Sequence, residues 1–256
     1  YLNSASLADQ LKQETISYEF FNQAFIVYEE NLILNNSKMT QNPHVSIGGS
    51  IPYQLVITIA NRLMNLRYFS RENYENLITK VTLYGSKLLK KQDQCRSVYY
   101  CAHLWWWCET FIDDVLPTVK VDKKEEVNEK DGSEDGGKHE HVEDILKFYR
   151  DPKRVLECLQ KSLRVADSCM DPYLSLKLFI EILNRCLIFY IYGNEYVDSN
   201  YINGLIDLIK TNIDNLKNEN DEDGDIFARI QSLFQRTLDY IDNEKSTSGQ
   251  FQNIVT

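Results

Sequence analysis

Six cysteines and four histidines are the side chains of this 256-residue sequence best suited to nucleophilic or metal chemistry, and their spacing decides whether they can act together. Cys95, Cys101 and Cys108 stand six and seven residues apart. On a helix that separates the outer two, and no Cys-x-x-Cys pair is present to grip zinc or exchange disulfides. Cys158, Cys169 and Cys186 also fall in helix-patterned segments, so all six read as reduced core residues of a cytosolic protein. His139 and His141 flank Glu140 but lack the further ligands and supporting shell of a structural metal site. His44 lies in a loop-like stretch. His103, between Ala102 and Leu104, reads as a hydrogen-bonded core histidine rather than a general base. With no Gly-rich phosphate loop and no histidine pair four apart on a helix, no cofactor or metal is expected and catalysis is not the reading.

The side chains with the most to offer are instead Trp105-Trp106-Trp107. Consecutive helical residues fan out by about 100° each, so three cover about 200° of the circumference and one interior face cannot take them all. Either neighbouring helices bury all three, or one faces a groove, where Trp is a favoured binding anchor. A membrane-interface role is the weaker alternative, because no basic patch accompanies them.

The elements that position these residues are helices. Ten glycines and five prolines are too few for the turn-rich β folds, and 43% hydrophobic content supports a sizeable interior. Ser6 caps a first long helix with apolar residues from Leu7 to Leu32. A loop insertion follows at about 35–52, then a helix from Leu55 to Leu66. Ser70 caps the next helix, and Asp93 opens another that runs through Cys101 to Phe111. Asp151-Pro152 and Asp171-Pro172 each place a capping carboxylate before a proline preset for the first turn. The second of these helices is apolar nearly all round, and Gly193 closes it. Its apolar run, Leu174 to Tyr192, is broken by Lys177, Glu181, Asn184 and Arg185 and cannot serve as a membrane span. Two more helices follow, centred on Ile206 and Leu233, and a frayed tail is expected at about 245–256. Helix pairs opening near Asp151 and Asp198 repeat at the roughly 40–47-residue period of HEAT-like arrays, so the fold class is an all-α HEAT-like α-solenoid of stacked antiparallel helix pairs. A compact helical bundle is the alternative.

Charge is concentrated. The chain carries 28 Lys and Arg against 38 Asp and Glu, formally −10, which argues against nucleic-acid binding. An insertion at about 117–144 reads as disordered, and Asp122 to Asp144 alone holds 10 acidic residues against 4 lysines. It reads as a solvated loop or as bait for basic partner segments.

Two segments resemble a known family. Ser86 to Trp106 reads Ser-Lys-Leu-Leu-Lys-Lys-Gln-Asp-Gln-Cys-Arg and then Cys-Ala-His-Leu-Trp-Trp; Arg154 to Tyr190 includes Val-Leu-Glu-Cys-Leu, Cys-Met-Asp-Pro and Leu-Phe-Ile-Glu-Ile-Leu-Asn-Arg. Together with weaker similarity over Tyr18 to Glu30 and Phe69 to Leu77, they resemble the carboxy-terminal region of the retromer large subunit, the vacuolar protein sorting-associated protein 35 family. The family pattern usually has proline at Gln92 and phenylalanine at Trp105, and the extended loops after Leu34 and Leu116 are not typical of it.

The resemblance implies a curved stack that cups the metallophosphoesterase-like subunit, vacuolar protein sorting-associated protein 29, in endosome-to-Golgi retrieval of cargo. It further implies homodimerisation through this end, and membrane contact only indirectly, through sorting nexins or other subunits, on the cytosolic face of endosomes. The expected partner-binding residues are Lys91, Gln92, Asp93, Gln94, Arg96, Tyr100, His103 and Trp106, with Asn184, Arg185 and Tyr190 on the later apolar helix. Structural roles compete: Asp93 as a cap, Tyr100 and Tyr190 as core, and Arg185 as the partner of Glu181 on its own helix. A generic helical-repeat adaptor for peptide motifs is the alternative function.

Overall fold

The computed structural model describes residues 1–30, 49–110, 147–218, 224–247 and 249–256. Among these, nine α-helices carry the fold: α1 (Leu2–Gln10), α2 (Glu14–Tyr28), α3 (Ile51–Met64), α4 (Arg71–Ser86), α5 (Lys91–Cys101), α6 (Pro152–Asp167), α7 (Pro172–Ile191), α8 (Ser199–Asn218) and α9 (Gly224–Thr247). Pairing is antiparallel and local: α1 packs on α2, α3 on α4, α5 on α6, and α7 on α8. The odd-numbered helices also pack in series, α1 on α3, α3 on α5, α5 on α7 and α7 on α9. Each pair leaves a greasy side that the next pair covers, and this is a two-layer helical solenoid rather than a closed bundle.

The two Asp-Pro starts are as expected. Asp151 accepts from Arg154 N, and Asp171 accepts from both Tyr173 N and Leu174 N, satisfying donors that a helix start leaves open. Asp198 caps α8 through Tyr201 N at 2.8 Å, 47 residues after the Asp151 cap by subtraction. Gly193 adopts φ +79° just past α7, the left-handed conformation that a side chain resists, and closes that helix.

Five expectations need correction. The first long helix is two, because Lys12 turns into the left-handed region at φ 59° and the chain reverses between α1 and α2; nor does Ser6 cap it, since it lies inside α1 and its hydroxyl donates to Leu2 O. Buried Asp9 and half-buried Glu14 fix that turn: Asp9 accepts Arg67 N and Tyr68 N at 3.0 Å each, and Glu14 accepts the Ser70 N–H, the Ser70 hydroxyl and Asn73 Nδ2. Ser70 is the first residue before α4, but its hydroxyl serves Glu14 instead of capping its own helix. The helix expected to run to Phe111 ends at Cys101, tightens into a 3₁₀ turn at Ala102–Trp105 and becomes a strand. That strand, β1 (Cys108–Thr110), pairs antiparallel with β2 (Lys147–Tyr149), Cys108 opposite Tyr149. Asp93 is not the opening cap of α5, which starts two residues earlier; its carboxylate accepts Ser50 N from the approach to α3.

The tail is the fifth. A 3₁₀ turn at Gly249–Phe251 folds back on the stack, leaving Phe251 1% and Ile254 2% exposed. Phe251 sits edge-on to Tyr190 at 5.5 Å, and the Gln250 side chain donates to Tyr190 O at 2.7 Å. The loop after Leu34 and the insertion at 117–144, with its His139-Glu140-His141, lie outside the described residues, apart from residues 49–52, of which Ile51 and Pro52 already belong to α3. Among the described residues no helix is long and apolar enough to cross a membrane.

Phe251→Ala should lower the unfolding free energy by about 3 kcal/mol in denaturant titrations followed by circular dichroism, because a fully buried ring is lost. Val255→Ala, at a 65% exposed neighbour, should be silent; equal effects would mean that the tail does not dock.

Candidate functional site

The seam between α5 and α7 gathers polar side chains on an otherwise apolar layer. Arg96, Tyr99, Tyr100 and His103 stand at i, i+3, i+4 and i+7 along α5 and its 3₁₀ extension, and Glu181, Asn184, Arg185 and Ile188 repeat that spacing on α7. Such spacing lines one helical face. The two stripes meet around an open hollow of about 350 Å³ lined by Arg96, Tyr99, Glu181, Asn184, Arg185 and Ile188.

Glu181 is the hub. Arg96 Nε and Nη2 donate to its two carboxylate oxygens at 2.8 Å each, a bidentate fork, and the Tyr99 hydroxyl donates to Oε2 at 3.0 Å. The pair is largely withdrawn from water, with side chains 24% and 21% exposed, so breaking it costs more than breaking a surface ion pair. The hydrogen bond to Glu181 holds the Arg96 guanidinium well above its usual range, and burial, followed by the Glu181 charge, does the same to the Tyr99 phenol. Both remain protonated donors.

Arg185 does not join Glu181, contrary to the reading of an ion pair along its own helix. Its guanidinium lies over the Tyr99 ring at 5.6 Å and approaches His103 Nε2 at 3.5 Å. Burial first, then the Arg185 charge, push His103 down to about 4, so it is neutral at physiological pH and its Nε2 is an acceptor. Its ring packs at 4.9 Å from Phe189 and is 9% exposed, as the core reading anticipated. Tyr100 reaches back to Asn61 on α3, and Asn184 Oδ1 accepts the Thr237 hydroxyl of α9 at 3.0 Å. The site therefore touches four odd-numbered helices.

Of the expected binding residues, Arg96, Tyr100, His103, Asn184 and Arg185 come together. Trp106 does not reach the surface: it is 4% exposed, with the Arg150 guanidinium 4.8 Å above its ring. The reason is the early end of α5. The 3₁₀ turn, held by Tyr74 Oη on Leu104 O at 2.8 Å and by Asp151 N on Trp105 O at 2.8 Å, replaces the helical fan with a tight corner that buries Trp105 as well. Half-buried Trp107 lies edge-on to Tyr192 at 4.4 Å. Asp93, 1% exposed, is likewise internal. Gln94 bonds to Ser86 O, and Tyr190 serves the tail through Gln250, whereas Lys91 is exposed at the start of α5, away from the hollow. Sequence reading missed Tyr99, Glu181 and Ile188 as lining residues, although the shared spacing with residues already chosen was available.

Nothing in this arrangement pairs a nucleophile with a base. Burial raises the Cys158 thiol to about 12 and lifts Cys95, Cys101 and Cys186 well above their ordinary range, which leaves them as inert core groups. No cluster of three metal-ligating side chains occurs among the described residues.

Because the folded-state pKa of His103 is depressed, its contribution runs in one direction. Stability is full above about pH 6.5, where the unfolded histidine is also neutral, and falls as pH drops towards 4. Denaturant titration at pH 7.5 and pH 5 should show a loss of about 2 kcal/mol from this group, a slope that His103→Gln removes. An unchanged slope in the variant would show that the imidazole is not held neutral.

Known proteins resemble this sequence. A model of the family described as vacuolar protein sorting-associated protein 35 matches residues 1–212. The chain is 38% identical over 213 residues, 83% of its length, to vacuolar protein sorting-associated protein 35 of Schizosaccharomyces pombe, covering 20% of that protein. It is 32% identical over 256 residues, 97% of its length, to vacuolar protein sorting-associated protein 35A of Arabidopsis thaliana, covering 25% of that one. The chain thus spans about a fifth to a quarter of the length of these relatives.

Proposed function

We propose a function from the premise that this chain belongs to the vacuolar protein sorting-associated protein 35 family: it is a non-catalytic scaffold segment of the retromer large subunit. Its odd-helix face binds the metallophosphoesterase-like subunit, vacuolar protein sorting-associated protein 29, within endosome-to-Golgi retrieval. Homodimerisation through this end, location on the cytosolic face of endosomes, and membrane contact through sorting nexins or other subunits belong to the same reading.

The observation that carries it is the seam itself. Polar side chains on α5 and α7 are held in place by one another and by Asn61 and Thr237, so a folded partner meets a surface with little side-chain freedom left to lose. Alternating helices packed in series make that surface continuous, and a rigid, extended face is what a solenoid offers a globular partner. Lys91, Gln92, Gln94 and Tyr190 border it on this reading, while Asp93 and Trp106 act from the interior, as supports.

A second reading, an adaptor for linear peptide motifs, draws on a groove of about 610 Å³ between the start of α7 and α9. Leu174, Ile230 and Leu233 contribute apolar atoms to it, and Lys177, Arg229 and Arg236 line it too. A peptide array separates the readings, since the scaffold requires a folded partner.

Calorimetry of the chain against the metallophosphoesterase-like subunit should give one-to-one binding with a Kd below about 1 μM, near −8 kcal/mol. Trp106→Ala should lower thermal stability without selectively removing binding, as expected for a buried ring. Absence of both heat and co-elution for the unaltered chain contradicts the proposal.

A further inference from the structure

The hollow on the α5–α7 seam contains two guanidinium groups and one carboxylate, a surplus of one positive charge. The three are not equivalent. Glu181 accepts three hydrogen bonds, two from Arg96 and one from Tyr99, so its charge is balanced by Arg96 and it forms no ion pair with Arg185. Arg185 has no carboxylate partner among the described residues, and its neighbours are the neutral imidazole of His103 and the face of the Tyr99 ring. Half-buried and unpaired with an anion, it is held by an acceptor on one side and a π face on the other.

The other lining groups point to what fits there. Asn184 accepts the Thr237 hydroxyl at its oxygen, which orients the amide and leaves its N–H donors for a ligand. Ile188 supplies an apolar wall that lowers the local dielectric and suits a short aliphatic stem. A guanidinium fork matches a planar carboxylate, and a surplus of one charge matches a monoanion.

We infer that Arg185 is the receptor for a single Asp or Glu side chain of the protein that docks on this face, with Asn184 as the second donor and His103 as the positioning residue that aims the guanidinium. The inference rests on the proposed binding of a folded partner to the seam and adds the chemistry of the contact. Glu181 has a specific part in it: by balancing the charge of Arg96 through a two-point fork, it leaves Arg185 as the cation of the hollow without a carboxylate. Specificity follows from the same arrangement, because a partner presenting Lys or Arg at that position meets an unopposed cation.

The test uses calorimetry with the metallophosphoesterase-like subunit and the chain carrying Arg185→Gln, Arg185→Lys or Arg185→Glu, each checked for unchanged helicity. Arg185→Gln should weaken binding by about 30-fold or more, and Arg185→Lys should recover only part of it, since the charge returns without the fork. Arg185→Glu should abolish binding, and one Asp→Arg or Glu→Arg change in the partner should restore it. Binding by the unaltered chain with Arg185→Gln within about twofold overturns the inference and leaves the scaffold reading intact; so does a loss that no acidic-to-arginine change in the partner reverses. No binding by the unaltered chain brings down the scaffold reading first, and the inference with it.

Discussion

One carboxylate, that of Glu181, sets the terms for the rest of the site. It lies on a helix that is apolar over most of its circumference, where an unpaired charge would be costly, and it is made tolerable by a bidentate arginine and a phenol from the neighbouring odd-numbered helix. Desolvation is thereby converted into a directional constraint. Hydrophobic contact alone would let α5 and α7 slide or rotate against each other, whereas three hydrogen bonds converging on one group fix register and rotation together. The exposed side of that fixed seam is where Arg185 and Asn184 sit.

The same device recurs elsewhere in the stack. Asp9 on α1 accepts two backbone N–H groups from the approach to α4, Glu14 on α2 takes three donors from Ser70 and Asn73, and Asp93 on α5 holds Ser50 at the approach to α3. In each case a carboxylate on one helix binds the segment that leads into another, where backbone donors would otherwise be unmet. Burial between the layers provides the bulk of the stability, and these ties determine which helix lies beside which. These four carboxylates, Asp9, Glu14, Asp93 and Glu181, are therefore structural ties.

How much of this could be read from the residues depended on the range of the interaction. Asp151-Pro152, Asp171-Pro172 and Gly193 were legible because caps and proline geometry are local. The solenoid followed from repeat spacing, since a helix pair that cannot cover its own faces requires neighbours. The break at Lys12 was not legible: the apolar series runs on across it, and the carboxylates that pin the turn bond to residues more than fifty positions away. The end of α5 at Cys101 was equally hidden, because Trp105 and Trp106 keep a helical pattern while Tyr74 and Asp151, both distant in sequence, hold the backbone in a 3₁₀ corner. At the seam, Arg96, Tyr100, His103, Asn184 and Arg185 could be picked out by residue type and spacing, and their partition could not. Local spacing favours Glu181 with Arg185, and only the packing of α5 on α7 reveals that Arg96 takes that carboxylate.

A double-mutant cycle on Arg96 and Glu181, with Arg96→Met, Glu181→Gln and the pair measured by denaturant unfolding, addresses that constraint directly. A shared, largely buried hub predicts a coupling free energy above about 1.5 kcal/mol. Coupling of less than about 0.5 kcal/mol, the value of an ordinary surface ion pair, would contradict the account, because nothing would then fix the seam or withhold Glu181 from Arg185.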